Sequence, residues 1–180
     1  MPFTEHCLES TTLYESHFIQ LFKDQVRLPD GTTGSREYIR HPGAVAVLAM
    51  LDNGNLLMER QYRYPAGREF FEIPAGKIDA GEDILLTAQR ELLEETGYVA
   101  SEWTFLTTSW ACIGYSDEKI SYFLARGLQH EGRKLDHGEF LDVFELSLPD
   151  ALNWVRQGRI NDSKSILGLF WLDDLLRSQS

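Results

Sequence analysis

Three glutamates, Glu91, Glu94 and Glu95, crowd the end of a segment whose pattern predicts a helix, and a glycine-bearing loop stands ahead of it. Each helical residue turns the chain by about 100°, so residues three and four apart share a face. The three carboxylates therefore project within an arc of roughly 100°. Glu95 falls on the side of Ile84 and Ala88, the side expected to face a core. Carboxylates gathered on a half-buried face repel one another and are costly unless something positive neutralises them. A hard divalent cation is the simplest remedy: Mg²⁺ takes one or two carboxylates and keeps positions for substrate phosphates. Most Glu-rich helices are merely solvated faces, but three details weigh against that here. Glutamate near a helix C-terminus opposes the macrodipole. Glu91 and Glu95 form an i,i+4 pair of like charge. The loop GKIDAGED brings two glycines and sets Glu82 and Asp83 in the first turn, where carboxylates are favoured.

The surrounding elements must hold that helix in place. Residues 18–28 alternate apolar and polar as a half-buried strand does, PDGTTG at 29–34 is a turn cluster, and REYIRH reads as a second strand. Together they predict an N-terminal hairpin over residues 1–40, ahead of a main domain over 41–180. AVAVLAML at 44–51 is a continuous apolar run suited to a sheet interior. Strands are also expected at 55–64, 68–73, 103–108, 119–125 and 142–148. Pro149 opens one closing helix, and Asn161-Asp162-Ser163 caps a second that carries Ile166, Leu167, Phe170, Trp171, Leu175 and Leu176. Many strands with one helix among them and two at the end predict an α/β fold, a mixed sheet with helices on both faces.

Composition narrows the function classes. A net charge of −11 argues against nucleic acid or an anionic membrane as the main partner. It also means that a phosphate-bearing substrate would need local cations. Two cysteines, Cys7 and Cys112, make no disulfide framework, which points to a reducing cytoplasm. The start, MPFTEHCLES, lacks the apolar stretch of a secretory signal, and no apolar run is long enough to span a bilayer.

Residues 76–98 fit G-x5-E-x7-R-E-U-x-E-E-x-G-U, with U a bulky apolar residue, through Gly76, Glu82, Arg90, Glu91, Leu92, Glu94, Glu95 and Gly97. This pattern resembles the box of the Nudix hydrolases, with Tyr98 where an aliphatic residue is usual. The resemblance implies an α/β/α sandwich and a Mg²⁺-dependent attack of water on a nucleoside diphosphate linked to a further group, with Mn²⁺ able to substitute. It implies Glu91, Glu95 and the carbonyl of Ala75 as metal ligands. Glu94 is implied as a further ligand or an aid to the attacking water, and Arg90 as the partner of Glu82 or Glu94. For Arg90, a plain helix-surface ion pair is an equally good reading.

Outside the box, RHPGAVAV at 40–47, ERQYRYP at 59–65, EFFEIPAGKID at 69–79 and CIGYSDEKI at 112–120 resemble the ADP-ribose pyrophosphatases. That likeness implies Arg63, with Arg60 near it, on the substrate phosphates and Glu72 close to the nucleotide. It implies one more carboxylate from the polar loop at 130–143. Glu139 is the choice for general base or its assistant, with Asp136 and Glu131 as competitors, and His130 and His137 are read as surface residues. It also implies a homodimer that exchanges the N-terminal hairpin, bringing Phe22, Phe18 or Tyr38 to an adenine, although plain sheet packing explains any one of these rings. The expected reaction is ADP-ribose to AMP and ribose 5-phosphate. Ile113 replaces a proline common in that subfamily, so a nucleotide sugar such as GDP-mannose is the alternative, and a silent nucleotide-binding module is a further one.

Overall fold

Strand β4 (Ala44–Ala49) lies at the centre of the larger part of the chain, because its residues are apolar on both faces. The computed structural model describes residues 3–133 and 140–179. The chain divides into two compact units, Met1–Gly43 with Trp110–Lys119, and Ala44–Ser109 with Ile120–Ser180.

In the larger unit, β4 pairs antiparallel with β7 (Ala75–Lys77) and parallel with β9 (Lys119–His130), and β8 (Tyr98–Trp110) lies beyond β9. The sheet is therefore mixed, as expected. Val45, Val47 and Ala49 bury one face of β4 in a cluster with Ala88 of α1 (Ile84–Glu91), Leu92, Phe123 and Ala125. Helix α3 (Ser163–Ser178) covers the opposite face. Gly168 permits that approach: a Cβ there would meet Ile73, Tyr122 and Leu48 at 3.0–3.6 Å. Helices on both faces of this sheet give the α/β/α arrangement.

A second sheet in this unit has the order β10-β5-β6, with β5 (Asn55–Arg63), β6 (Arg68–Glu72) and β10 (Leu141–Ser147) all antiparallel. Helix α2 (Leu148–Arg156) packs Trp154 on Phe71 and Phe144 of this sheet, with ring centroids 5.0 and 5.9 Å away. Pro149 lies in the first turn of α2, and Asp162 caps α3 by accepting from the Ser165 N–H. The buried positions of α3 are Ser165, Gly168, Leu169 and Leu172, while Phe170 and Trp171 are exposed.

The smaller unit holds a three-stranded antiparallel sheet, β1 (His6–Glu15), β2 (Gln20–Arg27) and β3 (Thr33–Arg40). The expected hairpin is β2 and β3. Strand β1 is an addition to it, and all ten of its residues are exposed, so it carries no burial periodicity to read. Within the same unit, Ile39 bridges Ser116, and the His41 N–H donates to Asp117 Oδ1 at 2.8 Å.

Candidate active site

The loop after β6 and the end of the carboxylate helix meet at Ala75 and Gly76. Their backbone is pinned by β4, with Val45 opposite Gly76 and Ala46 opposite Ala75. The Val47 N–H adds a bond to the Pro74 carbonyl at 2.8 Å. The helix starts at Asp83, whose carboxylate caps the Leu85 and Leu86 N–H groups. It does not end as the plain helix expected from the sequence: α1 gives way to a π-helical turn over Leu92–Thr96, closed by Gly97 at φ +79°. A π turn carries one residue more than an α turn between hydrogen-bonded groups and is frequent at functional sites. Glu95 lies within this turn, is only 3% exposed, and accepts from the Ala75 N–H at 3.0 Å.

Glu91 reaches the same loop. A Cβ on Gly76 would collide with the Glu91 carboxylate, so only glycine leaves it room there. The Ala75–Gly76 backbone thus has Glu95 on one residue and Glu91 on the next.

Arg90 gathers the remaining carboxylates. Its Nη1 donates to Glu91 Oε1 and Glu94 Oε2, each at 2.9 Å. Nε and Nη2 donate to Glu82 at 3.0 and 2.9 Å, and Nη2 also to the Lys77 carbonyl. Both expected partners, Glu82 and Glu94, are therefore engaged at once. The Arg90 hydrogen bonds pull the Glu82 carboxyl down to about 2, helped by Thr87 and outweighing its burial. The same bonds push the Arg90 guanidinium upward, so it stays a cation.

A second cluster lies at the ends of β5 and β6. Glu72, 2% exposed, takes Arg63 in a fork, Nε to Oε1 at 2.7 Å and Nη2 to Oε2 at 2.8 Å. Lys164, from the first turn of α3, also donates to Glu72 Oε2. Burial pushes the Glu72 carboxyl up, but the Arg63 bonds and the Lys164 charge outweigh it and hold it below its ordinary value. Glu59 stands directly opposite Glu72 in the β5–β6 register and is equally buried. The Glu72 hydrogen bonds, joined by the charges of Glu72, Glu95 and Glu59, push the Arg63 guanidinium upward against its burial, so it stays a cation.

The structure thus assembles Ala75, Glu91, Glu94, Glu95 and Arg90 into one group and Arg63 with Glu72 into its neighbour. Arg60 stands apart from both. Strand residues alternate faces, so it points away from Glu59 and Arg63, where it pairs with Asp142. Phe22 belongs to the smaller unit, where it stacks on Tyr38 at 5.6 Å beneath the Arg40 guanidinium. Glu139, Asp136 and His137 lie outside the described residues. His130 packs edge-on against Tyr98. Ile113 is 81% exposed.

Lys164 and Glu59 are the members of the site that the sequence reading missed. Lys164 had a legible signal, since a cation in the first turn of a helix opposes the macrodipole and so implies a carboxylate partner.

Among the described residues no three His, Cys, Asp or Glu side chains stand as a ready metal cage. The donors nevertheless suit a hard cation. Glu91 and Glu95 present carboxylate oxygens against one backbone loop, and an ion of the Mg²⁺ type needs only one or two carboxylates besides water and phosphate. No helix among the described residues is long and apolar enough to cross a membrane.

Comparison with known proteins gives the family. A NUDIX domain matches residues 40–167, and a nucleoside diphosphate sugar hydrolase N-terminal domain matches residues 5–39. The chain is 41% identical to an ADP-ribose pyrophosphatase of Bacillus subtilis, over 93% of this chain and 92% of that protein. It is 40% identical to a methanol dehydrogenase activator of Bacillus methanolicus, over 94% and 93% respectively. The crystal structure of an ADP compounds hydrolase superposes with a TM-score of 0.87, covering 98% of this chain and 96% of that one at 23% identity, a likeness of fold.

Proposed function

Because the chain belongs to the Nudix family of hydrolases, we propose that it hydrolyses the diphosphate of ADP-ribose to AMP and ribose 5-phosphate, with Mg²⁺ as cofactor and Mn²⁺ able to replace it. The observation that carries this reading is the meeting of Glu91 and Glu95 on the Ala75–Gly76 backbone. Glu91, Glu95 and the Ala75 carbonyl would hold the metal. Bound there, it supplies charge to the phosphates and acidity to the attacking water. The residues of the chain do the positioning. Arg90 fixes Glu91 and Glu94 relative to Glu82, so the carboxylates meet the substrate already aligned. Glu139 takes up the proton of the attacking water as general base or assists in it, and Glu94 adds a metal ligand or aids that water. Arg63 binds the diphosphate while Glu72 holds its guanidinium in plane. This is catalysis by orientation and by preset charge.

The N-terminal unit is assigned to a homodimer in which Phe22 meets the nucleotide base. The exposed Ile113, in place of a proline, supports a nucleotide sugar such as GDP-mannose as a second substrate reading. The 40% identity to a methanol dehydrogenase activator supports another, that the chain activates a dehydrogenase.

A panel of diphosphates incubated with Mg²⁺, with products identified by mass and the reaction run in ¹⁸O water, tests the two substrate readings, and adding the chain to a methanol dehydrogenase assay tests the activator reading. AMP from ADP-ribose, at a kcat/KM above that for GDP-mannose, is the expected result. A preference for GDP-mannose replaces the substrate. No turnover of any diphosphate would end the hydrolase reading.

A further inference from the structure

The segment Asn161–Ser165 touches β6 at three points, which is more than a helix start requires. Asn161 Oδ1 accepts from Arg68 Nη2 at 2.6 Å, at the beginning of the strand. The Ser165 Oγ, fully buried, accepts from the Ile73 N–H at 2.9 Å, just past its end. Lys164 takes Glu72 between them. The Lys164 ammonium is itself held by Asp162 Oδ1 at 3.1 Å, the same oxygen that caps the Ser165 N–H. A four-carbon side chain is thus tied at both ends, to a helix cap and to a buried carboxylate, and its own side chain is only 15% exposed.

The shared atom is Glu72 Oε2, which receives both Arg63 Nη2 and Lys164 Nζ. A carboxylate can present both oxygens to a guanidinium only when its plane is fixed. Arg63 cannot fix that plane alone, because its side chain is 42% exposed and long, and holding it in one rotamer has an entropic cost. Lys164 reaches the carboxylate from a helix packed on the sheet, a rigid direction. With Nε and Nη2 committed to Glu72, Arg63 Nη1 makes no hydrogen bond among the described residues. It is the donor left for a ligand. Lys164 also changes the charge balance. Without Lys164, Glu72, Arg63 and Asp162 would together carry one negative charge, whereas with it the four groups are neutral, in a chain that carries −11 overall.

We propose that Lys164 is a positioning residue for diphosphate binding: by fixing the plane of the Glu72 carboxylate it aims Arg63 at the substrate and keeps that arginine's charge available. This rests on the reading of Arg63 as the diphosphate-binding arginine. Lys164 does not touch the reacting atoms. Its effect falls on binding, and it acts through Glu72.

Lys164→Met, which keeps an unbranched stem and removes the ammonium with its charge, and Lys164→Arg, which restores the charge, test this. Two readouts are needed, and one of them uses no substrate. In the ¹⁵N–¹H spectrum of the substrate-free protein, the Arg63 Nε–H signal, assigned through its loss in Arg63→Lys, should exchange with water at least tenfold faster in Lys164→Met and return towards the wild-type rate in Lys164→Arg. With ADP-ribose and Mg²⁺, Lys164→Met should raise KM about tenfold with kcat within threefold, and Lys164→Arg should recover most of that loss. Thermal melts confirm that both variants fold. An unchanged Arg63 signal in Lys164→Met, or a fall in kcat at unchanged KM, overturns the proposal. If Lys164→Met shows the Arg63 exchange effect while the wild-type protein releases no AMP, the ADP-ribose reading is refuted and the positioning role stands.

Discussion

At the scale of single residues, the carboxylates of the box have separable tasks, and their substitutions should separate too. Glu95 is buried and accepts the Ala75 N–H, a bond the amide oxygen of glutamine can also accept. Glu95→Gln should therefore keep its melting temperature within a few degrees and lose kcat by roughly 10²–10³, the scale for removing one preset charge from a reaction centre. A normal rate with Mg²⁺ would show that the metal is held elsewhere. Gly76→Ala should be worse for the fold, since its methyl group enters the space of the Glu91 carboxylate. Either Glu91 leaves the loop or β7 shifts from β4, and both lower activity. Arg90 and Glu82 give a pH signature. Their bonds hold the Glu82 carboxyl at about 2 in the fold against an ordinary 4.5. A depressed carboxyl contributes stability above its unfolded value and loses it as pH falls towards the folded one. Urea melts should show that this contribution is whole above about pH 4.5 and disappears between pH 4.5 and 2. In Glu82→Gln the stability curve should be flatter over that window and lower at pH 7. An identical acid limb in the variant would mean that the pair does not stabilise the fold.

At the scale of elements, the parts of the fold legible in the sequence were those with a burial period or a capping chemistry. β4 was readable because apolar residues on both faces leave an unbroken run, and α3 because Asp162 is a good cap ahead of an apolar stretch. The box helix was readable from its glutamates, yet the π turn was not, because an inserted residue within a helix has no composition of its own. β7 has three residues, too few for a period, and β1 has no buried side. For the site, Glu91, Glu94, Glu95, Arg90, Arg63 and Glu72 could be named from spacing and resemblance. The face of Arg60 followed from strand alternation, which single-residue matching ignores. The link from α3 to Glu72 joins positions 92 residues apart, and nothing local encodes it except an ill-placed cation. α3 also carries a packing test. Gly168 faces Ile73, Tyr122 and Leu48 with no more than ordinary contact distance to spare. Gly168→Leu gains helix propensity of up to about 1 kcal/mol but overfills the interface, and overpacking of this kind costs about 1–3 kcal/mol. Chemical denaturation should show a net loss, together with a raised KM, because the same helix holds Lys164. A stabilised variant would mean that α3 can lift from the sheet without disturbing the site.

At the scale of the whole molecule, the N-terminal unit stands out by how little it buries. Among its described residues Val26 is the one buried apolar side chain, and Leu8, Leu13 and Tyr14 of β1 are exposed. Three strands with so small a core are marginal by themselves. β1 also presents a full ten-residue edge, and an edge of that length invites pairing with another chain. The charges along it do little to discourage such pairing, since β1 carries only Glu9, Glu15 and His6 among its ten residues and no lysine. A second copy of the chain satisfies both needs, by covering the apolar side chains and by repeating the same contact in the other direction, as a twofold interface must. Sedimentation equilibrium should therefore report twice the 20.6 kDa chain mass at micromolar concentration. Leu13→Glu should shift the equilibrium towards the single chain, because it places a charge in the middle of the apolar set on β1. The same variant separates assembly from chemistry. If Phe22 reaches the nucleotide only across the interface, the dissociated variant should lose affinity for ADP-ribose at low protein concentration and regain it as concentration rises. A dissociated variant with full affinity at every concentration would confine the nucleotide site to one chain and remove Phe22 from it.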